Sequence, residues 1–340
     1  MFIVIDTPGT HIGKKGETFV IRKPGGGQEV ISVRKVDCVN ILTKAEVTHD
    51  AFIMAARYTI PIVYSVRGRP EGVFHCFASH GTVLVRREQM LAYKDQRGVE
   101  LAKRFVYAGL ENKARILLKL AKNRKLEGTE LYDLLQQHAE KIREGVAKVE
   151  AVEGELDSIR QTLMGYEGDG AMMYFDALKQ VLAPYVQFYK RERRPPRDPV
   201  NSALSLGYTI LNGQILIGLA TAGLEPFAGF LHSDRSGKPS LALDLIEEFR
   251  QAVIDTVILK LFVRRMVSPA DFTEEGGRIL FGETGKKVFY KELFEKIREG
   301  TDYSEGQMLT YEQLILKQAR RLVHFLLGKE KQYKPFLLKW

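Results

Sequence analysis

Residues 223–250 read GLEPFAGFLHSDRSGKPSLALDLIEEFR and set several acids close to one histidine. Pro239 suits the first turn of a helix, with Ser236 or Gly237 before it, and the periodic run continues to about residue 265. On an ideal helix Asp244, Glu247, Glu248 and Asp255 share about 100° of arc, with no Lys or Arg among them. Like charges at this spacing repel, so a half-buried stripe of this kind needs protonation or a cation. Carboxylates joined by the imidazole of His232 suit Mg2+ or Mn2+ better than zinc. The other reading is a solvated acidic face with His232 in a loop, and the segment alone leaves both open.

A further acid lies upstream in LMGYEGDGAMMYFDAL. Its spacing predicts a helix that starts at Glu167, with Ala171, Phe175, Leu178 and Leu182 on the apolar face. Glu167 and Asp169 would then complement a helix N-terminus, or supply an acid for chemistry. Between the two segments Lys190, Arg191, Arg193, Arg194 and Arg197 fall within eight positions, beside Tyr189 and Pro195–Pro196. That cluster reads either as a polyanion contact or as a solvated loop.

Other chemistries fit poorly. GTHIGKKG at 9–16 resembles a phosphate loop only faintly, because Lys15 replaces the Ser or Thr that holds the metal and a strand follows. No nucleotide cofactor is expected. There is no Gly-x-Ser-x-Gly elbow. His11, His49, His75, His80, His138 and His324 read as structural. Cys38 and Cys76 are too few for a cysteine zinc site and suit reduced thiols in a cytoplasmic protein.

The elements that must position these residues divide the chain in two. MFIVID, ETFVIR, EVISVRK, DCVNIL, PIVYSV, GVFHCF and TVLVRR are short β-type runs, interrupted by one helix with Thr48 as N-cap and Pro61 at its end. After Tyr93–Val99 the runs are long and helical, roughly 98–122, 128–162, 167–183, 201–224, 239–265 and 306–328. The expected class is α+β. A small β domain over 1–95 (a sheet or sandwich with one crossover helix) precedes a larger all-α domain over 96–340. Asn201–Leu224 carries no charge, but its Asn, Gln and Gly content predicts a buried helix rather than a membrane span. The N-terminus reads as a strand rather than a signal peptide.

The chain has 340 residues, of which 45% are hydrophobic and 27% charged, with a net charge of +9. That composition excludes extended disorder, collagen-like repeats and a disulfide scaffold, and the basic excess suits a polyanion such as nucleic acid.

Taken together, LMGYEGDGAMMYF, NSALSLGYTIL and GLEPFAGFLHSDRSGKPSLALDLIEEFR resemble signatures of the CRISPR-associated adaptation integrase and endonuclease family. THDAFIMAARYTIPIVY and HGTVLVRREQ look like further family segments, and the five keep the family order. The resemblance implies a β domain that forms a homodimer and a helical catalytic domain. It implies a divalent metal, Mg2+ or Mn2+, held by Glu167, His232 and Glu247, with Asp244 as a fourth ligand or a partner behind them. Asn201 and Tyr208 would line the site, although Asn201 equally suits an N-cap and Tyr208 the core. Arg235 and Arg250 are candidate phosphate contacts or salt-bridge partners of the acids, and Lys190, Arg191, Arg193 and Arg194 are further DNA candidates. The implied activity is insertion of short double-stranded DNA into a CRISPR array by attack of a 3′-hydroxyl on a phosphodiester, with a small partner, Cas two, and no membrane. The alternatives are a nucleic-acid-binding scaffold without catalysis and a branched-DNA repair nuclease.

Overall fold

The computed structural model describes residues 1–66, 69–74, 82–123, 128–192, 195–304 and 307–339. His75, Cys76, His80, Arg193 and Arg194 lie outside the described residues.

Two four-stranded sheets open the chain. One has the order β1 (Phe2–Ile5), β5 (Cys38–Ile41), β7 (Ile62–Val66), β8 (Arg69–Phe74). Its first three strands are parallel, with Ile3 beside Val39 and Val39 beside Ile62, and β8 returns antiparallel. The other has the order β4 (Gln28–Ser32), β3 (Thr18–Arg22), β2 (Thr10–Lys15), β6 (Ala45–Val47). Ile3, Ile5, Ile12, Phe19, Ile21, Val39, Ile41 and Ile62 form one core between the sheets. Helix α1 (His49–Arg57) closes that core with Ala51, Met54 and Ala55, at the spacing of one helical face. Thr48 caps it by accepting the Ala51 N–H at 3.3 Å. The opposite face of β5 and β7 meets the helical part, where Cys38 and Val63 pack on Ile217. Every residue of β5 is buried for that reason, and its sequence shows no polar alternation.

TVLVRR is helical, contrary to expectation. It begins α2 (Thr82–Ala92), whose Val85 and Ala92 join the core of the helical part. Three long helices follow: α3 (Gln96–Asn123), α4 (Glu130–Ala151) and α5 (Leu156–Leu182). The expected break before Glu167 is absent. The chain turns at 152–155 instead, and Glu167 sits in the middle of α5. Its acidity therefore does not serve a helix N-terminus. The glycines at 165, 168 and 170 mimic a boundary in sequence, but the helix passes through them.

Helix α6 (Pro199–Thr221) runs through the core, with Asp198 as N-cap and Pro199 in the first turn. It is long and apolar enough to cross a membrane by length and composition, yet over half of that stretch is buried inside the protein. Gly207 and Gly218 permit this, since a Cβ there would stand 2.6 Å from Ile254 and 2.8 Å from Ile315.

The helix expected over 239–265 is not one regular helix. It comprises α7 (Ser240–Leu245), a 3-10 turn (Ile246–Glu248), a π turn (Gln251–Asp255) and α8 (Thr256–Val263). The changes of winding abolish the single acidic stripe and send its carboxylates in different directions. Two antiparallel hairpins, β9 (Phe272–Glu275) with β10 (Arg278–Phe281) and β11 (Gly300–Ser304) with β12 (Gln307–Thr310), make the second part mostly rather than wholly helical. Helix α9 (Glu283–Arg298) between them lay outside the periodic runs, and α10 (Tyr311–Leu326) completes the bundle. The last described residues have no regular structure, yet Tyr333, Phe336 and Leu338 are buried, with Phe336 stacked on Phe249.

Candidate active site

Asp244 is fully buried and organises the 229–232 loop. Its Oδ2 accepts the N–H groups of Phe230 at 2.7 Å and Leu231 at 3.0 Å. Its Oδ1 accepts the His232 N–H at 2.9 Å and pairs with His232 Nδ1 at 2.7 Å. Gly229 makes the approach possible, because a Cβ there would lie 2.7 Å from Ser240 and 3.0 Å from Asp244 Oδ2. With both oxygens engaged, Asp244 acts on the imidazole. A carboxylate partner fixes the proton on Nδ1 and leaves the Nε2 lone pair available.

One helical turn further on, Glu247 points towards α3 and α5. Arg250 holds its Oε1 at 2.6 Å, while its Oε2 is buried without a hydrogen-bond partner. Lys113 of α3, only 3% exposed, donates to Glu167 Oε1 at 3.1 Å and lies 3.9 Å from Glu247 Oε2. Glu167 and Glu247 thus meet around one ammonium. Burial works against the charge on Arg250, but Glu247, Tyr208, Glu167 and Asp255 outweigh it and raise its pKa. Among the described residues no three His, Cys, Asp or Glu side chains close on a common point as a metal set, and Lys113 stands between two of the candidates.

The other two acids of the expected stripe face elsewhere. Asp255 accepts the hydroxyls of Tyr174 at 2.8 Å and Tyr208 at 2.6 Å. Burial raises it to about 6 against the pull of those hydroxyls and of Lys113 and Arg250. Glu248 receives Phe336 N–H, Gln318 and Tyr333 of the C-terminal segment and α10, and burial raises it to about 7.

The remaining expected residues separate by role. Asn201 is wholly buried and is not the N-cap. Its amide binds Lys190 O, Asp198, the Glu192 N–H and Arg191, so it clasps the preceding loop to α6. Arg191 also reaches Ser205 and lies over the Tyr208 ring, which Arg250 covers as well. Lys190 is exposed, with Glu192 at 3.5 Å. Arg235 is exposed on the turn where residues 235 and 238 bridge. Lys113 and Gly109 were missed by the sequence reading. A Cβ on Gly109 would stand 3.3 Å from Glu247 Oε2, and a glycine four residues before a lysine in mid-helix was the available signal.

The family model for CRISPR associated protein Cas1 matches residues 3–295, most of the chain. The chain belongs to the Cas1 family. A CRISPR-associated endonuclease Cas1 of Archaeoglobus fulgidus is 34% identical over 355 aligned residues, covering all of both chains. A partial Cas6-RT-Cas1–Cas2 complex contains a chain of the same fold, with TM-score 0.79, 22% identity and coverage of 100% and 99%. A casposase bound to integration product matches with TM-score 0.71, 21% identity and coverage of 99% of each chain. The β-then-helical architecture expected from the sequence is the Cas1 architecture.

Proposed function

We propose that the chain is a metal-dependent DNA endonuclease and strand-transfer integrase of CRISPR adaptation. The observation that carries this reading is the buried Oε2 of Glu247, which has no hydrogen-bond partner and faces the same ammonium as Glu167, one turn from the Asp244 that orients His232. Two carboxylates and an imidazole with its proton fixed on the far nitrogen fit a hard divalent cation, Mg2+ or Mn2+. Glu167, His232 through Nε2, and Glu247 would hold it, with Asp244 behind His232. The chemistry available with a cation bound there is polarisation of a phosphoryl oxygen and stabilisation of charge on the attacking and departing oxygens.

The chain's own residues do the rest. Asp244 keeps the imidazole in one tautomer and one orientation. Arg250 fixes one oxygen of Glu247 and so aims the other. The exposed cations Lys190 and Arg235 are available to position a DNA backbone, while Arg191 and Arg250 are engaged with Asn201 and Glu247. A DNA 3′-hydroxyl displaces the departing 3′-oxygen of a target phosphodiester, so one ester replaces another; with water as nucleophile the same site cleaves DNA.

The reading extends to a cytoplasmic homodimer acting on double-stranded DNA with a Cas2-type partner, its 1–95 region pairing and its 96–340 region catalysing. The solved Cas1–Cas2 assembly and the casposase complex support the partner and the DNA. Exposed Tyr64, Val66 and Val73 on β7–β8, and Val83, Leu84 and Leu91 on α2, support a paired surface.

A strand-transfer assay tests it: protein, a short duplex with free 3′ ends, a supercoiled plasmid bearing a leader and repeat, and Mn2+, with and without the Cas2-type partner. Joined product that disappears in EDTA and in His232→Ala is expected. Joining that persists in either would overturn the metal-site reading, and no joining or cleavage even with the partner would favour a binding scaffold.

A further inference from the structure

We propose that Lys113 is a resident counter-ion, which holds Glu167 and Glu247 together while no metal is bound and must withdraw before the two carboxylates can hold a divalent cation. The inference rests on the metal reading of this site.

A lysine buried as deeply as Lys113 needs a compensating charge, because desolvation of an unpaired ammonium is costly. It has two such partners, at 3.1 Å and 3.9 Å. The position is built from α3. One turn before Lys113, Gly109 supplies no side chain, and a Cβ there would stand 3.3 Å from Glu247 Oε2 and 3.6 Å from Lys113 Nζ. Glu247 therefore packs directly on the bare α3 backbone at Gly109, with Oε2 facing the ammonium one turn further along the same helix. Arg250 already occupies the other oxygen of Glu247, so the Lys113 side is the one left for a ligand.

Glu167 and Glu247 would repel each other across an empty gap, and Lys113 removes that repulsion. Oxygen ligands approach Mg2+ at about 2.0–2.1 Å. An ammonium paired with both carboxylates and a divalent cation held by the same oxygens would exclude each other. Glu167 and Glu247 carry two negative charges against the single ammonium of Lys113, while Arg250 is paired with the other oxygen of Glu247. A dication is therefore attracted, but it has to displace a charge. The lysine stem is long and unbranched, so rotation of the side chain is the motion that would withdraw the ammonium.

The test measures Mn2+ binding by calorimetry and by the electron paramagnetic resonance signal of free Mn2+, for wild type, Lys113→Met and Lys113→Arg. Melting temperatures are taken in EDTA and in Mn2+. Lys113→Met should bind Mn2+ on the order of tenfold tighter, because the competing charge is gone. It should melt below wild type in EDTA and gain more from Mn2+. Lys113→Arg should stay near wild type in affinity. Adding Glu247→Gln to Lys113→Met should recover melting temperature in EDTA. A folded Lys113→Met that binds Mn2+ no more tightly than wild type would overturn the proposal. So would a Lys113→Met defect that Glu247→Gln does not relieve. Failure of the metal reading is separable: Mn2+ affinity unaffected by His232→Ala would sink that reading, while the EDTA melting comparison still decides whether Lys113 neutralises the two acids.

Discussion

Asp244 Oδ1 accepts two hydrogen bonds from His232, one from its backbone N–H at 2.9 Å and one from Nδ1 at 2.7 Å. The same carboxylate therefore sets both the position of the residue and the face of its ring. Asp244→Asn keeps the size but presents an N–H2 group to donors. The expected loss in strand-transfer rate is about 10- to 100-fold, the usual effect of losing the partner behind a ligating histidine. DNA affinity in a gel-shift titration should change little. A fall in affinity equal to the fall in rate would contradict the orienting role.

Gly109 offers a test in which stability and activity part company. Gly109→Ala improves helix propensity by up to about 1 kcal/mol in the middle of α3. It also places a methyl group 3.3 Å from Glu247 Oε2. The melting temperature should hold or rise while strand transfer falls several-fold. Unimpaired strand transfer would show that Glu247 Oε2 needs no clearance on that side.

Asp255 links stability to pH. Burial raises its carboxyl to about 6, above the unfolded value, so the folded state binds the proton more tightly. Its contribution is fully present below the unfolded pKa and is lost as pH rises through about 6. Between those limits the slope is on the order of 1 kcal/mol per pH unit. Urea midpoints measured from pH 4 to pH 7 should decline less steeply in Asp255→Asn than in wild type. An identical slope would remove Asp255 as a source of the dependence.

The basic loop divides into two kinds of residue. Lys190 is solvent-facing, so Lys190→Glu should weaken DNA binding and lower the slope of log affinity against log salt by about 1. Arg191 ties Asn201 and Ser205 to the loop, so Arg191→Glu should lower the melting temperature as well. An unchanged salt slope for Lys190→Glu would remove that lysine from the DNA path.

The candidate ligands were legible because GYEG, FLHSD and LDLIEEF are local signatures. Their surroundings were not. Lys113 lies 54 residues from Glu167 and looks like any polar residue of a charged helix. The acidic stripe read from ideal winding dissolved because 3-10 and π turns rotate Glu247, Glu248 and Asp255 onto different neighbours. The β core was readable from short branched runs, whereas TVLVRR carries the same composition into a helix because Val85 packs on the helical core. Asn201 illustrates a third limit. Its place after Asp198 and Pro199 marks a helix start, but only the folded loop shows that Asp198 is the cap and that the Asn201 amide ties residues 190–192 to it.

The pinning of Phe336 and Tyr333 to Glu248 bears on synthesis. Glu248 adjoins Glu247, yet the groups that bury its carboxylate lie 85 and 88 residues later in the chain. A ribosome releases residues in order, so the turn that carries Glu247 stays unfinished on the nascent polypeptide until residues 333–336 have emerged. The candidate site assembled in this order stays incomplete long after Glu167, His232 and Glu247 themselves have been made.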